Sequence, residues 1–179
     1  MQLLNDIKNY NNLSEKRKVL LISFLTATSS ILSVLDTMIP KPIPFIKIGL
    51  ANIIILILIK EKRLSLGFHV TLLRVLISSL MIGTFLSYTF LLSFSGAIGS
   101  LLFMALFFKL FKSTISEIGI SVVGAFFNII FQGIIVILFY GCDKGTLFFL
   151  SIMIILSLVN GIIIGVLAKL FYKKVRLKK

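Results

Sequence analysis

Six apolar runs, separated by short polar stretches that carry most of the charge, constrain this chain more than any other feature. They cover approximately residues 19–35, 45–59, 64–83, 85–111, 118–140 and 147–171. About 20 apolar residues cross the hydrocarbon core of a bilayer as a helix, which satisfies its own backbone groups there. With a mean hydropathy of +1.11 and 58% hydrophobic residues, the composition is that of a membrane protein. The expectation is an all-α, polytopic membrane protein of six transmembrane helices. A polar N-terminal arm (1–18) precedes the helical domain (19–172), and a basic tail (173–179) follows it.

The net charge of +13 would suggest nucleic acid as a partner if the chain were soluble. Here the basic residues flank apolar runs, which is the pattern that sets orientation in a bilayer. With six spans, fifteen of the 19 Lys and Arg fall on one side, and only Lys41, Lys47 and Lys144 on the other. That bias places both termini in the cytoplasm. No small-residue cleavage site follows the first run, so no cleavable signal is expected. A single cysteine, Cys142, excludes an intramolecular disulfide, and one histidine, His69, excludes a multi-histidine metal site. No cofactor is expected.

The nineteenth basic residue, Arg74, lies in the middle of the third run, LSLGFHVTLLRVLISSLMIG. A guanidinium keeps its proton and is costly at mid-bilayer, so it must face the bundle interior or a wet cavity. Asp36 reads as the first residue of the loop DTMIPKPIPF, so none of the apolar runs supplies a counter-charge. Carbonyls and amides of the chain, or an anion from outside it, must then satisfy Arg74. Three prolines, Pro40, Pro42 and Pro44, hold that loop extended, as a lid or as a plain connector.

Helical rise sets the depth of the other polar residues. Asn52, Arg74, Asn128 and Asn160 lie roughly 12 to 17 Å from the inner edge, and Gln132 nearer to about 22 Å. Together they can form either a mid-depth pocket opening outward or a structural network of amides. Lys47 sits at the outer mouth, where it snorkels or attracts an anion. His69, deeper toward the inside, reads as structural.

Catalytic patterns are missing. No paired carboxylates, aspartate-rich motif, phosphate loop or nucleophile with a base occurs, so an enzyme is not expected. Serines within helices usually bond their own backbone.

KIGLANI (47–53), LLRVLISSL (72–80), GTFLS (83–87) and GISVVGAFFNIIFQ (119–132) resemble the Gx transporter family, also labelled heptaprenyl diphosphate synthase component I. The likeness runs from the first span to the sixth. It implies kinship with the substrate-binding S components of energy-coupling-factor transporters, small six-helix bundles of the bacterial inner membrane. These capture a vitamin or precursor, here with an anionic or carbonyl group. They work with a membrane coupling subunit and two ATPases. The resemblance carries Lys47, Asn52, Arg74, Asn128 and Gln132 over as substrate-binding positions. S components dock through an A-x-x-x-A face on the first span, whose nearest equivalent here is Ser23-x-x-x-Ala27. The synthase label implies an alternative: a non-catalytic membrane subunit serving isoprenoid diphosphate synthesis. Chain elongation itself needs aspartate clusters for Mg²⁺ and diphosphate.

Overall fold

A computed structural model describes residues 2–39, 49–111 and 114–177. The three prolines, Lys41, Lys47, Lys112, Lys178 and Lys179 lie outside them. Every regular element among the described residues is helical. These are α1 (Gln2–Lys8), α2 (Glu15–Met38), α3 (Asn52–Lys60), α4 (Leu64–Ile82), α5 (Tyr88–Phe111), α6 (Glu117–Tyr140) and α7 (Lys144–Leu177). A 3-10 turn at Tyr10–Asn12 joins α1 to α2.

Local signals set the helix ends. Gly83 takes the left-handed conformation after α4 (φ 76°), and Thr84 N–H closes back on Ser79 O at 2.9 Å. Ser116 caps α6, its hydroxyl accepting from Gly119 N–H at 3.1 Å. Asp143 caps α7, with Oδ1 accepting from Thr146 N–H at 3.0 Å. Hydrogen bonds from the Thr146 side chain and backbone hold the Asp143 carboxyl below the usual carboxylate range. A depressed folded pKa stabilises above the unfolded value, and the contribution is lost as pH falls through the folded one. Thr146 amide protection, corrected for intrinsic exchange, should therefore drop on acidification in wild type. In Asp143→Ala it should be low throughout.

α2, α4, α5, α6 and α7 are each long and apolar enough to cross a membrane. Each exposes large apolar side chains, among them Leu20, Leu80, Leu110, Leu138 and Ile155, all at least 60% exposed. Such a surface belongs in lipid, and the protein is a multi-pass membrane protein.

The expected second span differs. Its described part is α3, only nine residues or about 14 Å long, preceded by a turn at residues 49–51. Ile55, Leu58 and Ile59 are at most 1% exposed. A helix apolar all round is an interior element, and α3 touches α2, α4, α5, α6 and α7. The basic tail also differs: α7 continues unbroken through it to Leu177.

α5, α6 and α7 pack in sequence as neighbours, and α2 lies against α4, which lies against α5. The expected close-packing glycines are at these contacts. A Cβ on Gly161 would meet Val122 Cα at 2.8 Å, and one on Gly99 would collide with Phe131.

One end of the bundle gathers α1, the α3–α4 turn, the start of α6 and the end of α7. Arg63 Nε donates to Ile7 O at 3.1 Å, Tyr172 Oη donates to Glu61 Oε1 at 2.7 Å, and Lys60 pairs with Glu117. We call this the basic end. The main core lies here, built on α3 with Ile7, Leu25, Val70, Met104 and Ile164. Toward the far end it gives way to two small clusters, Ile129 with Met153 and Val75 with Phe90 and Ala97.

Candidate substrate-binding site

The sequence-predicted polar residues fall into two groups. The first is built around Arg74, which is 7% exposed and faces the bundle interior. Its Nη2 donates to Asn52 Oδ1 at 2.9 Å, joining the middle of α4 to the first residue of α3. Asn52 is held in place by the turn before it. Gly49 adopts φ 90°, which favours glycine, and its carbonyl accepts from Asn52 N–H at 2.8 Å.

The reading of Asp36 as a loop residue is corrected here. It lies in the last turn of α2 and is 3% exposed. Its Oδ2 accepts from Gly49 N–H at 2.8 Å, and its charge acts on the Arg74 guanidinium. Ser29 Oγ also reaches Ala51 O, at 3.4 Å. The interior therefore contains the carboxylate that the apolar runs were expected to lack. Asp36 and Asn52 tie α2, the 49–51 turn, α3 and α4 into one polar brace. Arg74 Nε has no hydrogen-bond partner among the described residues, and Arg74 does not line the cavities described below.

The second group lies on α6, where Gln132 Nε2 donates to Asn128 Oδ1 one turn away. Gly96 of α5 faces the pair, since a Cβ there would stand 2.9 Å from Asn128 Oδ1 and from Gln132 Nε2. Gln132 and Leu92 line two cavities in the less tightly packed far half. One, of about 190 Å³, is bordered by Thr37, Thr84, Thr89 and Ser93. The other, of about 150 Å³, is bordered by Tyr88, Tyr140, Phe149 and Met153. The Tyr88 hydroxyl is buried and without a hydrogen-bond partner among the described residues.

This arrangement offers neutral hydrogen bonding against an apolar and aromatic wall. With the amides oriented as they stand, the Asn128 amino group and the Gln132 carbonyl remain available as donor and acceptor. That chemistry suits a carbonyl-bearing solute.

No hydrogen bond joins Asn160 to either group; it is half-buried beside Gly161, where α7 meets α6. His69 is exposed, with Nδ1 2.7 Å from Ser65 O of its own helix. Lys47 lies outside the described residues. Sequence reasoning missed Thr37, Thr84, Thr89 and Ser93. The i, i+4 spacing of Thr89 and Ser93 was the available signal. It was obscured because span hydroxyls usually bond their own backbone, as Ser93 Oγ does to Thr89 O at 2.8 Å.

The model of the heptaprenyl diphosphate synthase component I family matches residues 25–171. The chain belongs to that family. No curated protein and no solved structure matches it. The component I match begins at Leu25 within α2 and ends at Phe171 within α7. It thus contains both the Arg74 brace and the Asn128–Gln132 pair, and leaves α1 outside.

Proposed function

We propose that this component I protein is the substrate-capturing membrane subunit of an importer of the energy-coupling-factor kind. Its substrate would be a small vitamin or precursor bearing a carbonyl or anionic group. The observation that carries this reading is the pair of cavities sharing Gln132, in the half of the bundle away from most of the basic residues. On the positive-inside rule that half faces outward. Pockets for small solutes are mostly apolar with a few placed polar groups, and the Gln132 region is built that way. Gln132 and Asn128 contact the solute, while Arg74, Asn52 and Asp36 brace the wall between α2 and α4. The subunit performs no chemistry of its own, so transport energy comes from a membrane coupling subunit and two ATPases.

The family's description favours a second reading, a non-catalytic membrane subunit attached to a soluble prenyl diphosphate synthase. Affinity purification of the tagged chain from its native membrane separates the two. Recovery of a coupling subunit with two ATPases supports the importer. Recovery of a prenyl synthase without ATPases contradicts it.

A further inference from the structure

A groove of about 790 Å³ opens at the basic end, between the start of α4, the last turns of α5 and the start of α6. Its rim carries Lys60, Lys62, Lys109 and Glu117, and its wall includes Phe108 and Ile120. Lys60 is already engaged, paired with Glu117 and 4.0 Å from the centroid of the Tyr172 ring. Lys62 and Lys109 make no ion pair with any described residue. The groove is therefore net positive, and the N-terminal end of α6 adds the positive end of a 24-residue helix.

Lys62 stands out for its backbone as well. It lies in the turn between α3 and α4 at φ 59°, a conformation in which glycine is at ease and a side chain is strained. The chain holds a lysine at a position whose local geometry favours glycine. Strain of this kind is often retained where the side chain has a task.

The rim lies where α4 and α6 begin and α5 ends, the level at which headgroups meet the hydrocarbon. The wall below it is apolar. We propose that this groove holds a phospholipid of net negative charge, its phosphate between Lys62 and Lys109 and an acyl chain along Phe108 and Ile120. An acidic peptide would match the rim but would leave its own backbone and charges against the apolar wall. The proposal does not depend on the transport reading, because the groove is at the opposite end from Gln132.

The test is native mass spectrometry of the full chain, delipidated in detergent and titrated with phosphatidylglycerol or phosphatidylcholine. Wild type should retain phosphatidylglycerol preferentially. Lys62→Gly with Lys109→Gln should lose that preference, by about fivefold per lysine. Thermal stability should not fall, because glycine relieves the strain at position 62. Ala105→Trp keeps the charges and fills the groove, and should also reduce retention. Lys16→Gln with Arg17→Gln, which removes two exposed charges outside the groove, should leave retention unchanged. Three results would overturn the proposal. These are no preference in wild type, equal loss in the Lys16/Arg17 variant, and displacement of the lipid by equimolar inorganic phosphate.

Discussion

Gly165→Leu is expected to cost about 3 kcal/mol or more and to abolish most of the monodisperse protein recovered from detergent. A Cβ at that position would stand 2.6 Å from Ile118 Cα and 3.1 Å from Ser121 Cβ. The nearer atom is backbone in the facing helix, so a side-chain rotation cannot make room. α6 would have to move away from α7 along much of their shared length. Gly133→Ala is the matched control in the same helix pair. The atoms nearest its Cβ are side-chain carbons of Leu150, the closest at 3.2 Å, and a flexible leucine yields cheaply. Thermal unfolding of both variants in one detergent should separate them by about 6–12 °C. Similar midpoints would show that the α6–α7 contact is looser than described.

The second large effect concerns Arg74. Removing one partner from a buried hydrogen bond typically costs about 1–3 kcal/mol, and more where a charged group is involved. Arg74→Gln should therefore destabilise the protein by about 3 kcal/mol, because Asn52 loses its charged donor and the guanidinium no longer stands near the Asp36 carboxylate. Asp36→Asn keeps an acceptor for Gly49 N–H and removes only the charge. If the two charges support one another, the Asp36→Asn, Arg74→Gln double variant is less damaged than the sum of the singles. A coupling of at least about 1 kcal/mol is expected from a double-mutant cycle. An Arg74 that served only to read an anionic guest would behave differently: Arg74→Gln would leave the ligand-free stability intact, and the cycle would show no coupling.

Much of this was legible in the sequence. Apolar length alone identified α2, α4, α5, α6 and α7, because lipid forces the backbone of such runs into helix. The glycines of SFSGAIGS and the pair Gly161 and Gly165 announced the close contacts that the structure shows. The link from Arg74 to an interior amide was foreseen as one of two possibilities, and Asn52 realises it. What escaped was tertiary. Asp36 precedes a proline-bearing stretch, and in isolation that reads as a loop. Only the docking of Gly49 against α2 shows why the helix continues through it. The short, buried α3 escaped for a similar reason, since IIILILI has the same composition whether it crosses lipid or fills a core. The cavities around Gln132 depend on side chains from α2, α4, α5 and α6, whose meeting no local pattern encodes.

The claim that the Gln132 region captures a solute is tested most directly by mass spectrometry of small molecules retained after gentle detergent extraction. Wild-type protein should release a discrete carbonyl-bearing compound. Gln132→Leu, folded and of unchanged thermal midpoint, should retain about tenfold less, in line with the loss of a buried hydrogen bond to the guest. Wild type that releases nothing above the detergent background, or a leucine variant that retains as much as wild type, would contradict the account.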